Sequence, residues 1–141
     1  MFEALRKTEW IGKMPIVYNK KIKEEMSMTI LAWILQGILA LMFLTASAGK
    51  TFGSKTHIER FKHWHLPQWF RVVTGVIELA AAILLIIGYW NNTAAIIGAA
   101  ILVAVGIGGV ITHVRVKDSM KETVTILVLG ILALILLLIL I

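Results

Sequence analysis

A single carboxylate, Glu78, lies inside the apolar run Val73-Thr74-Gly75-Val76-Ile77-Glu78-Leu79-Ala80-Ala81-Ala82-Ile83-Leu84-Leu85. An unpaired carboxylate in hydrocarbon is expensive, so this group must be protonated, hydrogen-bonded or paired with a cation. Lys50 and Arg71 are the nearest cationic candidates, and Gln36 offers a neutral amide. Three uses are open to such a group. It can link helices without chemistry, orient a small amphipathic ligand such as a quinone headgroup or a sterol-like amine, or relay protons for transport. His113 closes another apolar run beside Arg115-Val116-Lys117-Asp118, a pattern that suits a basic cap on a helix C-terminus. His63 and His65 raise a metal site, but neither has a Cys or carboxylate at a telling spacing, so no metal is expected. A bis-His haem needs two facing histidines, and His113 alone lies near an apolar run. The absence of cysteine excludes disulfides, thiolate metal sites and thiol redox relays. No covalently held cofactor is expected, and any redox role must borrow a cofactor or a partner.

The elements that carry these residues are membrane spans. Of the 141 residues, 59% are hydrophobic and 16% charged, well outside the range of soluble domains. Four apolar runs, 29–48, 69–90, 94–112 and 123–141, each approach the ~20 residues that a spanning helix needs. The expected fold class is all-α, an integral membrane bundle of four transmembrane helices over residues 29–141, preceded by a polar, basic lead over residues 1–28. The second and third runs are separated by little more than Asn91-Asn92-Thr93 and form a tight antiparallel hairpin. In the first connection, Phe61 to Phe70 interleaves aromatic with basic and polar residues. It reads as an interfacial amphipathic element that Pro67 turns back into the membrane. The net charge of +6 belongs to groups flanking the apolar runs, where they meet anionic lipid headgroups, so lipid and not nucleic acid is the expected partner. Basic residues in the first and third connections argue that these loops are cytoplasmic. Arg6, Lys7, Lys13, Lys20, Lys21 and Lys23 in the lead argue the reverse, and orientation stays open.

Apolar burial does not drive helices together in lipid, so small and polar residues mark the inward faces. Gln36, Ala40, Phe43, Ser47 and Lys50 form one stripe on the first run, and Arg71, Thr74, Gly75, Glu78, Ala81 and Ala82 another on the second. Gly98, Gly106, Gly109 and His113 form a third. At ~1.5 Å per residue from Trp69, Glu78 lies ~13 Å below the first loop. These stripes define a candidate ligand site of Gln36, Ser47, Lys50, Arg71, Thr74, Glu78 and His113, with no catalytic residue assigned.

Several of these segments together carry a family resemblance. The first run ends in Ala48-Gly49-Lys50. Leu66-Pro67-Gln68-Trp69-Phe70 then leads into Gly75-Val76-Ile77-Glu78-Leu79, and the third run closes on Gly109-Val110-Ile111-Thr112-His113-Val114-Arg115-Val116-Lys117-Asp118. In this order the motifs resemble the DoxX-like family of small four-helix membrane proteins, over residues 29–141. On that resemblance Lys50, Glu78 and His113 are the motif positions. The resemblance implies association with quinone-linked oxidoreductases, as in small subunits of a thiosulfate:quinone enzyme, or with membrane complexes that handle oxidative stress. Eukaryotic relatives include an assembly chaperone for receptor subunits. The leading expectation is a redox-associated protein of the bacterial cell membrane that binds a quinone-like molecule around Glu78. The alternatives are a non-enzymatic membrane subunit or assembly factor with a partner subunit or a second copy, and a small transporter.

Overall fold

The structure is a computed structural model and describes residues 15–141. Five helices follow one another: α1 (Ile16–Phe52), α2 (Lys55–His63), α3 (Gln68–Ile87), α4 (Asn92–Arg115) and α5 (Met120–Leu140). There are no strands among the described residues. Four helices, α1, α3, α4 and α5, are long and apolar enough to cross a membrane. The protein is a multi-pass integral membrane protein with an all-α four-helix bundle. The segment Phe61–Phe70, expected as one interfacial element, is instead divided between the end of α2, a turn over residues 64–67 and the start of α3.

Helix α1 begins at Ile16 and not at Thr29. The segment Lys20 to Met28 holds no glycine or proline, and its Lys, Glu and Met residues favour helix, so the polar lead continues the apolar run without a break. At ~1.5 Å per residue its 37 residues span ~55 Å, beyond the ~30 Å of a hydrocarbon core. The basic residues Arg6, Lys7 and Lys13 lie outside the described residues.

The helix ends are written locally. Gly53, at φ 74°, stops α1 in the left-handed region, and the Ser54 N–H closes on the Gly49 carbonyl at 2.9 Å. His65 (φ 57°) and Lys117 (φ 55°) end α2 and α4 by the same device. Leu66 N–H bonds to Phe61 O and Asp118 N–H to His113 O, both at 3.0 Å. Ser54, Asn91 and Ser119 cap the starts of α2, α4 and α5 with their side chains, and Pro67 precedes α3.

The spans pack in the order α1, α3, α4, α5, and α5 returns to α1. Each contributes one fully buried leucine to a central layer, Leu39, Leu85, Leu102 and Leu136, with alanines around it. Small residues set the approach of neighbouring helices. A Cβ on Gly88 would lie 2.5 Å from Ala95 Cβ, and one on Gly106 would lie 2.8 Å from Gly130 Cα. Of the inward stripes read from the sequence, Gln36, Ala40, Phe43 and Ser47 on α1 and Arg71, Gly75, Glu78, Ala81 and Ala82 on α3 are buried, while Lys50 and Thr74 are partly exposed.

Candidate functional site

The expected polar site divides into an intramembrane ion pair, two residues that bond across between α1 and α3, two that serve their own helices, and a loop cluster at His113. At the centre, Lys50 Nζ donates to Glu78 Oε1 at 2.5 Å, joining the last turns of α1 to the middle of α3. The Glu78 side chain is 1% exposed and that of Lys50 16%, so the cation is the side of the pair that faces the loops. Glu78 Oε2 is buried and has no hydrogen-bond partner. Buried polar atoms are rarely left unpaired, because the desolvation cost is then uncompensated.

Arg71 is also buried, yet it does not pair with Glu78. Its guanidinium donates to the Lys50 carbonyl and, through Nε, to Gln68 Oε1 at 2.8 Å, and it packs over Gly53. This cation therefore satisfies the C-terminal end of α1, where helix carbonyls lack intrahelical donors. Gln68 in turn donates to the Ile58 carbonyl at 3.3 Å and ties α2 to the start of α3. The close approach of α1 and α3 depends on Gly75, where an added Cβ would lie 2.6 Å from Thr51 Oγ1 and 2.9 Å from Lys50 Cβ.

Two further buried polar atoms without partners border this pair, Thr51 Oγ1 and His57 Nδ1. The His57 ring packs against Gly49, where a Cβ would meet its Nε2 at 2.8 Å. Burial, followed by the like charges of Lys50, Arg60 and Arg71, holds the His57 imidazole below its ordinary value of 6.5. The unfolded chain therefore takes up this proton at higher pH than the folded one. The associated stability is present above pH 6.5 and is lost as pH falls through the lowered folded value. In thermal unfolding of the detergent-solubilised protein, the midpoint is expected to fall across that acid limb, and His57→Gln should flatten it. An identical pH profile in the variant would refute the assignment.

The remaining candidates go elsewhere. Gln36 Nε2 donates to the Leu85 carbonyl at 2.6 Å, near the opposite end of α3 from Arg71, and makes no contact with the Lys50–Glu78 pair. Ser47 is fully buried and Thr74 half-buried, and their hydroxyls bond backward to Leu44 O and Phe70 O within their own helices.

His113 anchors a second polar centre. Its Nδ1 meets Asp118 Oδ2 at 2.7 Å, His63 Nε2 meets Asp118 Oδ1 at 2.9 Å, and Trp64 Nε1 donates to Oδ2 at 2.8 Å. Burial works to raise the Asp118 carboxyl, but donation from Trp64, His63 and His113 outweighs it and holds the group below the ordinary carboxylate range. Trp64 also stacks edge-on against His113 at 5.1 Å and takes Arg115 on its carbonyl at 3.0 Å. This cluster fastens α2 to the α4–α5 turn. Asp118, Trp64 and His63 were absent from the sequence-derived site. The His113–Asp118 spacing across a helix end was the legible signal, whereas nothing local announces a partner 55 residues away at His63.

Two grooves mark the surface. One of about 510 Å³ is lined by His63, Trp64, His65, Arg115 and Val116, and an apolar one of about 290 Å³ runs between α4 and α5 past Gly106 and Gly130. Neither includes Glu78.

Comparison with known proteins agrees with this architecture. Over 73 residues, 52% of this chain, the sequence is 37% identical to the uncharacterized protein YdgD of Bacillus subtilis, and the match spans 63% of that relative. No solved structure matches the chain. The model of the DoxX-like family matches residues 34–136, which begin within α1, end within α5 and include both polar centres. The chain belongs to the DoxX-like family.

Proposed function

We propose that this protein is a redox-associated membrane subunit that binds the headgroup of a lipid-soluble, quinone-class molecule beside Glu78. The observation that carries this reading is Glu78 Oε2, a buried carboxylate oxygen without a donor, next to a lysine that forms the exposed side of the ion pair. A carboxylate oxygen accepts and does not donate, so the group that completes it must bring an O–H or N–H. A hydroxylated ring provides one and can place a second oxygen against Lys50 or Thr51. Its apolar tail would remain among the lipid-facing residues of α1 and α3, which include Leu44, Val73 and Ile77. The chain has no cysteine, so in this role it presents or holds the carrier and a partner supplies the electron chemistry.

The test is binding of a short-chain hydroquinone to the protein in nanodiscs, read by tryptophan fluorescence. Glu78→Gln keeps the shape and removes the charge, and it is expected to weaken binding at least tenfold; the lysine left behind is the more exposed partner, so the unfolding midpoint should fall less than in Lys50→Met. Equal affinity in the variant would refute the reading.

A second reading, a structural subunit that docks a partner helix, is favoured by α5. Only 11% of its most apolar window is buried, against 33% in each other span.

A further inference from the structure

We propose that His113, Asp118 and Glu122 form a site for a divalent transition-metal ion of the zinc class at the loop end of the bundle. One ligand atom from each of the three residues lies within 4.8 Å of the others. They come from three consecutive elements: the last turn of α4, the reversal that follows it, and the first turn of α5. The left-handed Lys117 and the Asp118 N–H to His113 carbonyl bond fold the chain back so that the carboxylate faces the ring. A tetrahedral site with bonds of ~2.0–2.1 Å sets its ligand atoms ~3.3 Å apart. The His113–Asp118 contact of 2.7 Å must open slightly to admit an ion, and Glu122 must swing inward.

Glu122 is free to do so. It occupies the third position after the Ser119 cap, but its carboxylate turns outward to Arg60 at 4.0 Å, with both side chains nearly half exposed. Such a contact is weak and exchangeable. Asp118, in contrast, is already held in orientation by Trp64 Nε1 and His63 Nε2, the kind of outer donors that fix a ligating carboxylate. The donor chemistry selects the metal: one imidazole and two carboxylates suit zinc or manganese better than magnesium or calcium, and no thiolate is available to favour softer ions. Glu122, nearly half exposed, forms the water-facing side of the cluster, and a bound water would complete the coordination. Two carboxylates and a neutral imidazole would cancel the charge of the ion. Occupation would clamp the α4–α5 turn, and through Asp118 it would stiffen the attachment of α2. The site stands on different residues from the Glu78 reading and does not depend on it.

The experiment uses the untagged full chain in detergent, stripped with EDTA and titrated with Zn²⁺ by calorimetry, with thermal unfolding in parallel. One equivalent is expected to bind saturably and to raise the unfolding midpoint. Glu122→Gln should weaken binding at least tenfold and His113→Gln should abolish it. Glu59→Gln, which removes an exposed acid from α2 outside the cluster, should leave it unchanged. Absence of saturable binding would overturn the proposal. So would affinity that is the same in wild type and Glu122→Gln, an exposed position where misfolding is not expected.

Discussion

Replacing Lys50 with methionine is expected to destabilise the protein by about 3–5 kcal/mol, the usual consequence of removing one partner from a buried ion pair. Glu78 is 1% exposed, its Oε1 is bonded to Lys50, and its Oε2 has no partner, so Lys50→Met leaves a carboxylate with neither water nor cation. Arg71 does not come to the rescue, because it is committed to the Lys50 carbonyl and Gln68. Unfolding by a denaturing detergent, monitored by circular dichroism, gives the measurement. The double variant Lys50→Met/Glu78→Leu removes both charges and should recover most of the loss, since an apolar replacement of a buried pair is often neutral. The cycle separates stability from function: the double variant is expected to fold and yet not bind hydroquinone. A Lys50→Met protein as stable as wild type would show that the carboxylate is not sealed from water.

The second large effect is expected at Gly75. The Cβ of an alanine there would stand 2.6 Å from Thr51 Oγ1 and 2.9 Å from the Thr51 backbone nitrogen, and the backbone cannot yield without moving α1. Gly75→Ala should therefore cost about 1–3 kcal/mol, the range for overpacking. It should also lengthen the Lys50–Glu78 contact. Gly108→Ala is the matched control, because that position lies in a helix with nothing within 4 Å of the added carbon. Both changes gain the same helix propensity, about 1 kcal/mol in favour of alanine, so their difference reports packing alone. Gly108→Ala is expected to be neutral or stabilising. Equal midpoints for the two variants would mean that α1 and α3 are not in contact at this glycine.

The two variants probe different properties of the same α1–α3 contact. Gly75→Ala changes the distance between α1 and α3 and leaves every charge in place. Lys50→Met changes a charge at constant backbone geometry. If hydroquinone binding fails in both, the site requires the pair as well as its spacing. If it fails only in Lys50→Met, the cation alone is the contact.

Spans, caps and inward faces were legible because they are local properties. An α-helix repeats every 3.6 residues, so the stripe from Gln36 to Lys50 and that from Arg71 to Ala82 could be placed on single faces without knowing what they would meet. Hydrophobic length sets the number of crossings, and Asn91 and Pro67 mark where helices begin. Partner choice along those faces is a matter of axial offset between antiparallel helices, which no single stripe contains. Only the tertiary packing decided that Lys50 reaches Glu78, that Arg71 turns to the end of α1, and that Gln36 bonds Leu85 at the far end of α3. The same holds for the loop cluster, where His63 and Trp64 meet Asp118 across more than fifty residues because α2 folds back over the α4–α5 turn. Periodicity assigns a residue to a face, and the docking of whole helices assigns its partner.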